Sequence, residues 1–285
     1  MLCCLSQCTI SVTDRFGWLN TSVSGRLRPQ ARRGHSCVSW TDQCMVLFGG
    51  YRSPGYLNDL WLLDISTLEW SCQSPAETEE IPDRMSQHSA AVLGDIMWLF
   101  GGHLGNRICV NELWAYDLRR NAWNYWPPPD SSAAGSGVRG KSAWPSPRYE
   151  HAAVSLQDTT KMLVFGGMDT QGHHCGDSWL FDATTLSWQL LQPLVSPPAR
   201  HGHSLTRIGS QVLLFGGFGA QGRLNDLWAF QDNQWKPVIP EGHVIPSRRA
   251  YHAAASFMGS LVVFGGQAGD PAVSMQKTGI AAPAF

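Results

Sequence analysis

From Met45 to Trp70 the chain sets a pattern that it repeats. An apolar run enters the glycine pair Gly49-Gly50, an alternating segment passes through Asp59, Leu60 and Trp61, and a turn leads to a second tryptophan, Trp70. The next stretch reads as four short strands. "HSAAVL" (88–93) and "IMWLF" (96–100) are buried strands split by Gly94-Asp95. "NELWAYD" (111–117) alternates and stops at the turn "LRRN", and "AWNYW" (122–126) stops at Pro127. Short apolar or alternating runs bounded by Gly, Asn, Asp and Pro are strand and turn signals. Connections this short hold no crossover helix, so neighbouring strands run antiparallel.

Phe-Gly-Gly occurs five times, with Phe at 48, 100, 165, 215 and 264, at intervals of 52, 65, 50 and 49 residues. The glycines are Gly49 and Gly50, Gly101 and Gly102, Gly166 and Gly167, Gly216 and Gly217, and Gly265 and Gly266. A histidine precedes each Phe by 12 to 14 residues (His35, His88, His151, His203, His252), and an arginine stands just before each histidine: Arg33, Arg84, Arg148, Arg200 and Arg249. Past the Phe come two tryptophans, Trp61 and Trp70, Trp114 and Trp123, Trp179 and Trp188, Trp228 and Trp235. The fifth copy stops after its glycines. A fixed period near fifty residues is the mark of a repeat architecture, in which no copy buries its own faces and the copies must stack.

These residues resemble the kelch repeat, and the resemblance covers 17–267, with tails at 1–16 and 268–285. It implies an all-β fold: a β-propeller of four-stranded antiparallel blades, about five in this chain, the last incomplete. On that reading the glycines allow positive φ or close approach near the axis, and the tryptophans fill the space between blades. Trp18 lines up with the last-strand tryptophans, so strand 17–23 is expected to complete the blade begun at 249–266 and close the ring. Kelch propellers more often have six or seven blades, and the tail from Asp270 also fits a truncated chain with an open ring and an exposed last sheet.

Charged residues make up only 15% of the chain and the net charge is −1, which does not supply the basic field that nucleic acid requires. The cluster Arg26, Arg28, Arg32 and Arg33 is read as solvated surface. Eight cysteines show no zinc-type spacing and are read as mostly reduced, although Cys37 and Cys44 are placed to face each other across a hairpin. No apolar run reaches membrane-spanning length and the first residues make a poor signal peptide, so the expected setting is cytoplasmic, with the nucleus open; the sequon Asn20-Thr21-Ser22 is the one feature pointing to secretion.

Catalytic motifs weaken on inspection. "GFGAQG" (217–222) matches a dinucleotide fingerprint, but a repeat strand follows it where a helix is required. The His-Ser pairs at 35–36, 88–89 and 203–204 recur, whereas a catalytic set occurs once, so each histidine is expected to tie strands or blades together. "HHC" (173–175), with His103, lacks a further convergent metal ligand. No catalytic residue, metal or cofactor is assigned. A metal-dependent propeller oxidase or a sugar-processing propeller is the competing reading.

Residues shared by all copies hold the fold, and those that vary at equivalent loop positions carry specificity. The resemblance implies that two loop sets converge on one face. The loops after the glycine pairs hold Tyr51, Arg52, Tyr56, His103, Arg107, Met168, Gln171, His173, Phe218, Gln221 and Arg223, rich in hot-spot residue types. The long junction from Trp123 to Arg148 adds Trp126 and Trp144. The expected partners are other proteins, with no nucleic acid and no membrane insertion.

Overall fold

The computed structural model describes residues 9–11, 17–19, 27–74, 80–129, 143–157, 160–240, 245–268 and 279–281, and they form an all-β propeller arrangement of antiparallel sheets. Blade 1 comprises Ser36–Thr41, Cys44–Arg52, Gly55–Asp64 and Glu69–Gln73; blade 2, Ser89–Leu93, Ile96–Gly105, Ile108–Asp117 and Ala122–Trp126. Blade 3 comprises Ala152–Ser155, Lys161–Phe165, Ser178–Asp182 and Ser187–Leu191; blade 4, Ser204–Ile208, Gln211–Gly219, Gly222–Gln231 and Gln234–Val238. A fifth, partial blade pairs Ala253–Phe257 with Ser260–Phe264. The four strands of each full blade pair in chain order, and the first strands of successive blades pack against one another around the axis.

The second strand is longer than the sequence reading places it in three blades, because it does not stop at the glycines. In blades 1, 2 and 4 a register shift falls on the first glycine of the pair and the ladder then resumes, so that the segments read as loops are hairpin arms. Gly166 and Gly167 of blade 3 show why two glycines are required. Their φ angles are +67° and +103°; a Cβ on Gly166 would lie 2.6 Å from the Arg200 carbonyl of the next blade, and one on Gly167 2.8 Å from His151 Cβ of its own blade. The first glycine faces the next blade and the second its own. Gly265 opens the last pair, and a Cβ there would meet nothing within 4 Å among the described residues.

Apolar clusters fill the four seams between successive blades. Three of the five Phe residues of the Phe-Gly-Gly motifs pack on the second tryptophan of the following blade: Phe48 on Trp123, Phe100 on Trp188 and Phe165 on Trp235, with ring centroids 4.9–5.4 Å apart. Among the described residues no blade precedes that of Trp70, which is only half-buried, and Phe264 of the fifth blade is 53% exposed. Burying an aromatic ring of this size contributes roughly 1.5–3 kcal/mol, so the seams carry much of the stability.

Three of the repeat histidines tie blades together, each bonding the serine of the preceding blade and not the one beside it in sequence. His88 Nε2 lies 2.9 Å from Ser36 Oγ, His151 Nε2 2.7 Å from Ser89 Oγ, and His252 Nε2 2.8 Å from Ser204 Oγ. Ala152 takes the serine position of blade 3, and both ring nitrogens of His203 are buried without a hydrogen-bond partner. Ala152→Ser is therefore expected to stabilise the protein by about 1 kcal/mol, a rise of roughly 2–4 °C in Tm. Calorimetry checks it, and an unchanged or lower Tm refutes the assignment.

A buried arginine locks blades 1, 3 and 4 internally. Arg148 donates through both terminal nitrogens to Asp177, at 2.7 and 2.8 Å, and to the Gly166 carbonyl at 3.1 Å; the Trp179 indole N–H donates to the same carboxylate at 2.6 Å. Arg32–Asp59–Trp61 and Arg200–Asp226–Trp228 repeat the arrangement. Burial alone would raise Asp177, but the hydrogen bonds and charge of Arg148 outweigh it and hold the carboxyl below the usual range. This corrects the sequence reading at two positions. The blade 1 arginine is Arg32, buried and paired, and not Arg33; Arg84 is exposed, and blade 2 puts Met85 at the position three residues before its histidine. There Glu112 still accepts from the Trp114 indole at 2.9 Å, with no arginine opposite. Arg26 lies outside the described residues.

Two further expectations change. Strand Gly17–Leu19 pairs with Thr9–Ser11 and not with the fifth blade. The slot beside Ser260–Phe264 is taken by Gly279–Ala281, from the segment read as an irregular tail, so the proposed N-terminal closure fails; residues 20–23 lie outside the described set. Among the described residues no apolar cluster joins blade 5 to blade 1. Cys37 pairs in register with Leu47 and Cys44 with Thr41, so the two cysteines are not opposed; Cys44, Cys72, Cys109 and Cys175 are free thiols.

Candidate functional site: an axial cavity

The residue immediately before each repeat histidine reaches the axis. These five are Gly34, Gln87, Glu150, Gly202 and Tyr251, and all have left-handed backbone, φ between +56° and +64°. Their peptide groups form a chain around the axis: Gln87 N–H donates to Gly34 O, Glu150 to Gln87 O, Gly202 to Glu150 O and Tyr251 to Gly202 O, at 2.6–2.9 Å. For the three that are not glycine this conformation costs on the order of 1–2 kcal/mol each. Strain held at one site in successive repeats is a mark of function. The fold positions the backbone, so the side chain at this place is free to differ from blade to blade.

Above this chain lies a cavity of about 530 Å³, lined by residues including Gly34, Gln87, Glu150 and Tyr251 from the chain itself and Tyr51, Tyr56 and His103 from the hairpin arms. Glu150 is its buried carboxylate, with a side chain 10% exposed. Tyr251 Oη donates to Oε2 at 2.9 Å, the Gln87 amide N donates to Oε1, and His201 Nε2 stands 3.5 Å from Oε2. Burial raises the Glu150 carboxyl above its ordinary value, against the Tyr251 hydrogen bond that lowers it. Burial likewise lowers His201 to about 4, with a smaller effect from His174, so the imidazole beside Glu150 is neutral at neutral pH. Arg33 is exposed on the rim, its guanidinium carbon 4.9 Å from the Tyr51 ring centre.

Aromatic rings line the cavity and continue beyond it. Tyr51 and Tyr56 stack edge-on with centroids 5.2 Å apart; Tyr56 Oη and His103 Nδ1 are 3.0 Å apart; His103 packs on Tyr149, whose hydroxyl donates to the Met168 sulfur at 2.9 Å. Farther round, His201 packs on His174, Phe218 and Tyr251, and Arg223 leans over Phe218 with its guanidinium carbon 5.9 Å from the ring centre. Of the residues singled out in the sequence, Tyr51, Tyr56 and His103 line the cavity, while Met168 contacts Tyr149, Phe218 contacts His201 and Arg223 donates to the lining residue Gln267. Arg52, Arg107, Gln171, His173 and Gln221 stand exposed at the hairpin and loop tips. Trp126 and Trp144 do not join them: Trp126 packs on Trp98 and Trp144 on Trp188, against the core between blades 2 and 3, and the Trp144 indole donates to the Asn111 carbonyl. Residues 130–142 of the same junction lie outside the described set.

The segment 217–222 is the tip of a hairpin between Gln211–Gly219 and Gly222–Gln231, with strands on both sides. His173 Nδ1 lies 3.3 Å from Asp169, while His174 turns toward His201; among the described residues no three metal-ligating side chains converge. Sequence reasoning missed Glu150, Gln87, Tyr251 and His201. Their signal was the position itself, one residue before each repeat histidine or two in the case of His201, where the copies disagree most.

The chain matches the profile described as the KLHDC2/KLHL20/DRC7 Kelch-repeats domain over residues 3–144 and 131–277. It is similar to Kelch domain-containing protein 3 of Homo sapiens, 30% identical over 259 residues, or 85% of this chain and 63% of that protein. It is also similar to an F-box/kelch-repeat protein of Arabidopsis thaliana, 29% identical over 262 residues, or 84% of this chain and 52% of that one. Tip elongation aberrant protein 3 of Schizosaccharomyces pombe is 27% identical over 248 residues, 74% of this chain and 20% of that protein. The chain thus spans less than two thirds of the length of each.

Proposed function

The chain belongs to the kelch-repeat family, and from that premise we propose that it is a non-catalytic module that binds another protein on the aromatic face around the axial opening. One observation carries this reading. Residues shared between the copies are spent on the fold, as the buried Arg–Asp–Trp sets and the histidine–serine ties show, while the residues around the opening differ from blade to blade. A rigid face that varies only in its side chains suits recognition, because little conformational entropy is lost on binding. The F-box in the name of the Arabidopsis relative supports an adaptor role, in which a captured protein is presented to other machinery. Scaffolding in the cytoskeleton or in trafficking fits the same geometry, and a cytoplasmic or nuclear location fits either.

The test uses the rim, exposed at Arg52 and Arg107 and half-buried at Arg223. In the triple variant Arg52→Ala, Arg107→Ala, Arg223→Ala, partners captured by the immobilised wild-type protein are expected to fall at least tenfold, since interface arginines commonly contribute 1–2 kcal/mol or more each. Thermal unfolding is expected to move by less than about 1 °C, as surface changes cost little. Undiminished capture, or capture lost together with the fold, removes this face as the partner site.

A further inference from the structure

The axial cavity has a polarity of its own. Its floor holds one carboxylate, Glu150, that receives hydrogen bonds from Tyr251 and Gln87 and is still within reach of the opening. Two donors leave carboxylate lone pairs unused, since a carboxylate has about four acceptor positions. The lining also includes the aromatic rings of Tyr51, Tyr56 and Tyr251, together with His103. The imidazoles beside Glu150 and Tyr56 are not cations at neutral pH: His201 is lowered to about 4, and burial lowers His103. Arg33, the one lysine or arginine among the described lining residues, lies on the Tyr51 ring. A half-desolvated carboxylate at the base of an aromatic shaft is the environment that holds a guanidinium or ammonium group, through charge-assisted hydrogen bonds at its tip and cation–π contact along its sides. Arginine suits it better than lysine, being planar, less strongly hydrated and able to stack. The volume, about 530 Å³, exceeds one side chain and leaves room for the peptide backbone that carries it.

We propose that the cavity receives an arginine side chain of the bound partner, with Glu150 as its counter-ion and Tyr51, Tyr56 and Tyr251 as its walls. The inference rests on the reading of this face as a partner site and adds the chemistry the partner must present. It also explains why a carboxylate is kept in a strained, left-handed position on the axis, where glycine, as at Gly34 and Gly202, would be cheaper.

The probes are N-acetyl-arginine amide and its neutral isostere N-acetyl-citrulline amide, titrated by NMR against the full chain at pH 7.5. The arginine amide is expected to bind at least tenfold more tightly, and Glu150→Gln is expected to bring the two within twofold of each other. Should Glu150→Gln melt below the working temperature, Gln87→Lys replaces it: position 87 already reaches the carboxylate, so a lysine there occupies the place of the ligand and is expected to abolish the preference. Equal binding of the two amides by the wild-type protein, or a preference that survives these variants, overturns the proposal. If the amides fail to discriminate while partner capture still depends on Arg52, Arg107 and Arg223, the cavity inference falls and the face remains. If Glu150 governs the arginine preference while capture is indifferent to those three, the face reading falls instead.

Discussion

Asp177→Ala is expected to destabilise the protein by about 3–5 kcal/mol, the cost of leaving a buried guanidinium without its carboxylate. The Arg148 side chain is only 1% exposed, and its other acceptors, Ser146 and the Gly166 carbonyl, are neutral. The substitution also removes the acceptor of the Trp179 indole. The molecule supplies its own control in blade 2. Glu112 has the same place relative to Trp114, but the arginine position is Met85, fully buried in the core. Glu112→Ala therefore loses a single hydrogen bond and is expected to cost only about 1 kcal/mol. Urea denaturation of the two variants measures the difference. Equal losses would mean that the Arg–Asp pairs contribute no more than their indole contacts.

Stability is also expected to collapse in mild acid. Burial holds six histidines neutral: it lowers His35, His201 and His252 to about 4 and His88 and His151 to about 3, with smaller contributions from neighbouring charges at each, and it lowers His203 well below its ordinary value. The unfolded chain takes up protons at these residues near pH 6.5, while the folded chain does not until well below. Their folded values are depressed, so the stability they permit is complete above pH 6.5 and is lost as the pH falls toward 4. At pH 5.5 each costs about 1.4 kcal/mol, or roughly 8 kcal/mol for the six. That matches the whole stability of an ordinary domain. Glu150 works in the opposite sense, because its raised carboxyl takes up a proton more readily in the folded state, but it is one group against six. Tryptophan fluorescence in urea at pH 8, 6.5 and 5.5 follows the loss. A constant midpoint across that range would show that the histidines are protonated without unfolding, and so are not buried as described.

The strands of blade 2 were legible because each apolar run ends at a turn residue; the structure gives Ser89–Leu93, Ile108–Asp117 and Ala122–Trp126 where the pattern places them. The glycine pairs and tryptophans were legible because they recur. The arginine register was not, because Arg32 and Arg33 are adjacent and only the distant Asp59 decides between them. The three-residue spacing to histidine in 148–151, 200–203 and 249–252 would have selected Arg32 and excluded Arg84. The closure of the last sheet depended on competition between two remote segments for one edge, which local pattern cannot rank. The solvated reading of the Arg26–Arg33 cluster failed at Arg32 for the same reason: its partner lies 27 residues away. Glu150 was missed because a site made of one side chain per repeat has no motif in any single copy.

The peptide chain around the axis separates two things that most binding sites entangle. Because Gly34, Gln87, Glu150, Gly202 and Tyr251 are held by their backbones, the floor can be rewritten one letter at a time without disturbing the blades. The alphabet is restricted, since left-handed backbone excludes branched side chains and favours glycine, asparagine and aspartate. Descendants of such a ring would change what they recognise by exchanging a few small or polar letters, and a neutral, acidic or aromatic spelling at these five places would foretell the charge of the guest.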